Sequence, residues 1–313
     1  MPSAPQAERC TLCPRACGAE RTPESPGFCG ADELWRDFRV ARVMLHHWEE
    51  PFICGSRGSG AVFFSGCALR CTFCQNLSVS QGRSGDRISP QALAAATVPL
   101  LQNGAHNLNL VTPSHYADRV PAWLDALKAM PAWRARPVPV VWNSGAYETP
   151  AAIAALAGSV DIFLPDMKFA SPTLAGELAA APDYAPVALA AIRAMLRLQP
   201  DAVFAADGLL KRGVVIRHLV LPGHWRDSLE VLRLLAAFIP ARTPLSLMCQ
   251  YTPQETHLPG HPELDRRLTT WEYRQVLDAA LDLGFTHILG QDRTSASAAY
   301  TPDFAERLRP GRC

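Results

Sequence analysis

The stretch AVFFSGCALRCTFCQN, Ala61 to Asn76, runs from a short strand-forming segment straight into three cysteines, Cys67, Cys71 and Cys74. Its opening AVFFS is the first of a series of apolar, β-branched runs: NLNLV (107–111), VPVVW (138–142), VDIFL (160–164), GVVIRHLVL (213–221), LSLMCQ (245–250) and THILG (286–290). Between them lie longer helical patterns, HYADRVPAWLDALKAM (115–130), APVALAAIRAMLRL (185–198), WRDSLEVLRLLAAF (225–238) and TTWEYRQVLDAALDLG (269–284). The last opens on a capping box, Thr269 with Glu272, and closes on Gly284, which takes a left-handed cap easily. A helix opening at Ser89-Pro90 carries Pro99 inside and is expected to kink or break there. Strands alternating with helices predict an α/β fold with a parallel sheet.

Polar residues collect just after nearly every strand: Cys67, then Thr112-Pro113, Asn143-Ser144, Asp166 and Lys168, Pro222-Gly223-His224, and Gln250-Tyr251. A barrel gathers all such strand ends at one mouth, whereas an open doubly wound sheet uses only the one or two at its switch point. The expectation is therefore a partial (β/α)6-type, TIM-like barrel over 60–313. Residues 1–59, rich in Cys, Pro, Gly and Arg and without sustained periodicity, read as a cysteine-rich N-terminal extension.

Composition narrows the function class. The 313 residues carry 30 basic and 29 acidic side chains, a net charge of +1 that supplies no field for nucleic acid or an anionic membrane. No apolar run approaches the length of a membrane span. The N-terminal MPSAPQAERCTLCPRACG lacks a secretion signal, so a cytoplasmic protein is expected. Ten cysteines in such a compartment point to metal or redox chemistry rather than disulfides. Cys54, Cys249 and Cys313 stand alone and read as incidental thiols; His46-His47 read as packing or solvated residues.

Thiolate-rich sites select zinc, Cu(I) or iron–sulfur clusters. A structural zinc closes four ligands, usually from two cysteine pairs. The C-x3-C-x2-C triplet fits a cubane whose fourth iron has no protein ligand. A zinc site completed by a remote cysteine or histidine is the alternative.

The sequence GCALRCTFCQN resembles the C-x3-C-x-aromatic-C signature of the radical S-adenosylmethionine superfamily. EEPFICGSRGSGAVFFSGCALRCTFCQN, NLVTPSHY, FLPDMKF and RHLVLPG together resemble the longer members of its pyruvate formate-lyase activating enzyme-like branch. The resemblance implies a [4Fe-4S] cluster on Cys67, Cys71 and Cys74, with S-adenosylmethionine chelating the fourth iron. One electron from a flavodoxin or ferredoxin-type reductant then cleaves the S–C5′ bond, and the 5′-deoxyadenosyl radical abstracts hydrogen from a substrate. The favoured substrate is a glycyl-radical enzyme; another peptide or a small molecule is the first rival, and a non-catalytic iron–sulfur or zinc protein the second.

The same resemblance implies roles around the rim. Phe73 lies by the adenine, and Thr112 stands in the turn where most members carry a Gly-Gly-Glu-like sequence. Asn143 and Ser144 suit the ribose or carboxylate. Asp166 and Lys168, the D-x-K motif, lie toward the cofactor and the substrate respectively, and alternation along an extended segment lets both face one side. Arg217 and His218 face opposite ways in their strand, so one of them looks inward, where Arg217 can pair with a carboxylate. Separately, Cys10, Cys13, Cys17 and Cys29 form C-x2-C-x3-C-x11-C, a full ligand set for a structural zinc or a second iron–sulfur cluster.

Overall fold

A computed structural model describes residues 9–33, 36–82, 84–253, 258–291, 302 and 304. Cys313 lies outside the described residues. Eleven strands are assigned among these residues: β1 (Phe38–His46), β2 (Ser59–Phe64), β3 (Asp86–Ile88), β4 (Leu108–Val111), β5 (Val140–Ser144), β6 (Ile162–Pro165), β7 (Val203–Phe204), β8 (Leu210–Val214), β9 (Ile216–Leu219), β10 (Leu245–Met248) and β11 (Ile288–Leu289). Every apolar run read from the sequence as a strand is one.

The fold is mixed α/β around a parallel series. β2, β4, β5, β6 and β8 are successive parallel neighbours, and β9, β10 and β11 continue in the same sense. GVVIRHLVL forms parts of two strands, β8 and β9, separated at Val215. Its first part pairs with β6, its second with β10, and a parallel bridge from Asp166 to Arg217 closes the join. β2, β4, β5, β6 and β10 are buried at every residue, which is why they read as unbroken apolar runs: helices cover the outer face of a parallel sheet and side chains fill the other. Trp123, Trp142, Phe163, Phe169 and Tyr184 are among the largest side chains shut away from solvent.

Three strands were not legible. β1 falls within 1–59 and pairs antiparallel with β2, from Val40 opposite Phe64 to His46 opposite Ser59. Its register shifts between Val40 and Arg42, which breaks the two-residue alternation that would have betrayed it. The short β3 and β7 cap the sheet edges.

The helices hold with two adjustments. The Thr269–Glu272 capping box is present in both directions, and Gly284 has φ +84°. Helix Pro90–Gln102 passes through Pro99 without the expected break. So near the end of a helix a proline forfeits a single backbone bond, and the Asn103 N–H closes the turn on the Pro99 carbonyl at 2.9 Å. The 115–130 pattern begins instead as a 3-10 turn, Ser114–Tyr116, before helix Val120–Lys128. Among the described residues no helix is long and apolar enough to cross a membrane.

Candidate functional site

The C-terminal ends of β2, β4, β5, β6, β9 and β10 surround one cavity of about 240 Å³. Its wall holds Cys67, Cys71 and Cys74, together with Phe73, Thr112, Asn143, Ser144, Asp166, Lys168 and Arg217. Every rim residue singled out from the sequence for the cluster and cofactor is thus brought to one place.

The cysteine loop leaves β2 through Gly66, whose φ of +90° an L side chain rarely adopts; a Cβ there would also collide with the Cys29 carbonyl. Leu69 N–H donates to Cys67 Sγ and Ser80 Oγ to Cys74 Sγ, each at 3.4 Å. Such donors favour thiolates over thiols. Burial pushes the Cys67 thiol up and carries Cys71 to about 12, with Lys168 opposing at Cys71. Three cysteines facing one cavity, two of their sulfurs with hydrogen-bond donors directed at them, fit a thiolate-bound cluster.

Opposite the loop lies a half-buried ionic network. Lys168 Nζ donates to Asp166 Oδ2 at 2.7 Å, and Arg217 Nε to Asp166 Oδ1 at 2.8 Å. Arg217 also reaches Glu49 Oε2 at 3.3 Å and Asn143 Oδ1 at 2.6 Å. Glu49 Oε1 accepts from Asn109 and Asn143 at 2.9 and 3.1 Å. Burial tends to raise the Asp166 carboxyl, but the Arg217 and Lys168 cations outweigh it and hold the group below its ordinary range. Burial wins at Glu49, whose carboxyl is raised despite Arg217. Lys168 is raised because Asp166 overcomes its desolvation. The pair at 166 and 168 is therefore no solvated surface feature: its side chains are only 16% and 21% exposed. His218 points away, with Nδ1 at 2.6 Å from the Met167 carbonyl.

Some rim groups are already committed. Ser144 Oγ donates to Glu148 at 2.8 Å and accepts from the Ala146 N–H, while both ends of the Asn143 amide serve the network. Phe73 lines the cavity and also packs edge-on against Phe169, centroids 6.0 Å apart. Thr112 has φ +58°, a strained conformation for a β-branched residue, and its N–H donates to the Asn143 carbonyl at 2.8 Å. Sequence reasoning missed Glu49, which receives Arg217 from the β1–β2 connection; the acidic pair Glu49-Glu50, standing in an otherwise apolar approach to β2, was the available signal.

His46 packs between Trp48 and Phe63, with centroids 5.6 and 5.7 Å away, as the packing reading expected. Burial, aided by His47, lowers its pKa from 6.5 to about 4. The unfolded chain takes up this proton near its ordinary pKa and the folded chain only near the depressed one. Stability is therefore expected to fall as pH drops through that window, by roughly 3 kcal/mol in all. His46→Phe, which keeps the ring, should show a flatter urea-midpoint profile there; an unchanged slope would remove His46 as the cause.

The N-terminal cysteines pack beside the cysteine loop. Cys10 and Cys13 are buried, Cys29 is half-buried and Cys17 exposed; all four are free, and the Cys10 and Cys17 side chains are hydrogen-bonded to each other. The Cys29 carbonyl accepts from the Cys67 N–H at 3.2 Å. Arg15 and Arg70 lie over the Phe28 ring at 4.2 and 4.7 Å, and Arg15 Nε donates to the Ala68 carbonyl at 2.8 Å.

No protein-family model matches the chain. An uncharacterized protein of Methanocaldococcus jannaschii is 28% identical over 279 residues, covering 87% of this chain and 74% of that one. Among solved structures, native anSMEcpe with bound AdoMet has a TM-score of 0.46 at 11% identity, over 72% of this chain and 61% of its own. SuiB of Streptococcus suis gives 0.46 at 12%, over 73% and 47%. Methylornithine synthase PylB gives 0.45 at 15%, over 78% and 75%. The chain spans less than two thirds of the length of the first two structures.

Proposed function

We propose that the chain is a radical S-adenosylmethionine enzyme and that its parallel series is a partial (β/α)6-type barrel with the reaction at the mouth. The observation that carries this reading is the convergence, in one cavity, of three cysteine sulfurs and a half-buried network of two carboxylates and two cations. Cys67, Cys71 and Cys74 would hold a [4Fe-4S] cluster. When bound, that cluster supplies an open iron for S-adenosylmethionine and the electron for its reductive cleavage, drawn from a flavodoxin or ferredoxin-type donor.

The chain's own residues bind and orient. Phe73 offers an apolar surface to a nucleobase, and Thr112 lines the same cavity, where it would receive the methionyl end. Lys168 keeps two of its three ammonium protons after serving Asp166, enough to hold a carboxylate or a substrate carbonyl. Asp166 and Arg217 fix that lysine, and Leu69, Val111, Leu219, Leu221 and Met248 form an apolar part of the wall. Within this chemistry the finer assignment, hydrogen abstraction from a glycyl-radical enzyme, rests on the sequence resemblance. A carrier or zinc adaptor would need closed coordination and no cavity, which disfavours it.

Anaerobically reconstituted and reduced protein is expected to show a [4Fe-4S]⁺ resonance that changes on adding S-adenosylmethionine, and to form 5′-deoxyadenosine. A resonance indifferent to S-adenosylmethionine would overturn the reading. Asp166→Asn should weaken S-adenosylmethionine binding by about tenfold with iron content unchanged, since loss of one charge-assisted contact costs roughly 1.5 kcal/mol; unchanged binding would remove the residue from the site.

A further inference from the structure

A second constellation lies apart from the cavity wall, where the turn leaving β9 meets the 3-10 turn Pro262–Asp265. His224 Nε2 and His261 Nδ1 stand 2.8 and 3.1 Å from the same oxygen, Glu263 Oε1, and the three ligand atoms all lie within 4.8 Å of one another. We infer that His224, His261 and Glu263 form a binding site for one divalent transition-metal ion of the zinc type.

The geometry and the donor set suit a metal ion as well as the hydrogen bonds now present. Bonds of 2.0–2.1 Å to imidazole and carboxylate imply tetrahedral edges of roughly 3.3 Å; two edges here are 2.8 and 3.1 Å and the third is within 4.8 Å. Two imidazoles aimed at one carboxylate oxygen leave a position among them that a cation can fill, each neutral ring then carrying its proton on the other nitrogen, Nδ1 of His224 and Nε2 of His261. Imidazole nitrogen with a single carboxylate suits zinc, nickel, copper or ferrous iron and not the oxygen-seeking calcium or magnesium. Behind His261, the other ring nitrogen lies 3.6 Å from Glu177 Oε2 on helix Pro172–Ala179, a carboxylate one short movement from hydrogen-bonding that nitrogen when the ring is a ligand. Three protein ligands would leave a fourth position open to water.

The surrounding chain holds this arrangement in place. Gly223 has φ +79°, and a Cβ there would stand 2.6 Å from Glu263 Cγ, so glycine is what allows Glu263 to close on the turn. The Gly223 N–H donates to Glu272 Oε1 at 2.7 Å, and the same carboxylate takes two bonds of 2.8 Å from Arg266 while capping helix Thr270–Asp282. Both sides of the site are thereby tied to one helix cap before any ion arrives. A bound ion would clamp the 258–269 segment to the turn after β9, and the strands feeding both segments supply cavity wall at Leu221, Met248 and Gln250.

The site is independent of the cluster chemistry, and its test avoids confusion with the cysteines by difference. Full-length protein, its histidine variants and Glu263→Gln are dialysed anaerobically against the same zinc buffer, and bound zinc per chain is measured. Thiolate-bound metal is common to all and cancels. Wild type should hold one zinc more than His261→Ala and one more than Glu263→Gln, the latter keeping the side-chain shape so that folding is preserved. Glu177→Gln should keep the ion with an affinity lowered roughly tenfold. Zinc should also slow hydrogen exchange across 258–266 in wild type and not in Glu263→Gln. Equal zinc in wild type and both ligand variants, or exchange indifferent to zinc, would overturn the site.

Discussion

Cys71→Ala is expected to lose the [4Fe-4S] resonance and to bring 5′-deoxyadenosine formation down to background. Cys71 is buried, its carbonyl accepts from Gln81 Nε2 at 3.1 Å, and its thiol is pushed up to about 12 with Lys168 as the opposing cation. Alanine keeps the backbone contact and removes only the sulfur, so misfolding is not the expected outcome and far-UV dichroism should match wild type. Two cysteines cannot hold a cubane against solvent, and loss of the metal removes the electron path altogether. A protein that still cleaves S-adenosylmethionine at the wild-type rate would mean the ligands lie elsewhere, with the N-terminal four as the obvious place to look. The same replacement leaves His224, His261 and Glu263 untouched, so the zinc measured there should be unaffected.

The fold was legible because parallel strands covered on both faces leave an unmistakable mark: continuous apolar runs, each ending in polar residues. That mark located β2, β4, β5, β6, β8 with β9, β10 and β11, and with them the cavity. It failed at β1, where a register shift interrupts the alternation on which a half-exposed strand depends. Site residues were legible wherever they followed a strand, since position along the chain then implies position at the mouth. Glu49 does not follow such a strand; its carboxylate enters from the connection before β2 and becomes a partner of Arg217 only through tertiary contact. His261 and Glu263 were invisible for a similar reason. Their spacing, H-x-E, is common in loops, and only the fold brings His224 to them across 37 residues of sequence.

Arg217→Met is expected to be the most destabilising single substitution at the cavity, by about 3 kcal/mol, the low end of the range for a buried pair, because it strips the counter-charge from two half-buried carboxylates. The guanidinium contacts Asp166, Glu49 and Asn143 at once, and its side chain is only 13% exposed. Methionine fills similar volume, so packing is largely kept and the loss is electrostatic. Lys168 remains to neutralise Asp166, whereas Glu49 would face the cavity with amide donors alone. Its carboxyl, already raised by burial, should then take up a proton, and removing that charge in advance should help. Arg217→Met with Glu49→Gln is therefore expected to be more stable than Arg217→Met alone, by about 1–3 kcal/mol, the cost of the buried charge that the second change neutralises. Arg217→Lys should not restore the wild type, since an ammonium cannot span three partners with a rigid fork. Urea unfolding of wild type, Arg217→Met, Glu49→Gln, the double variant and Arg217→Lys near neutral pH measures all of these terms. Additive losses in the double variant would show that Arg217 and Glu49 are not coupled, and a single-variant loss below about 1 kcal/mol would reduce the network to the modest value of a surface ion pair.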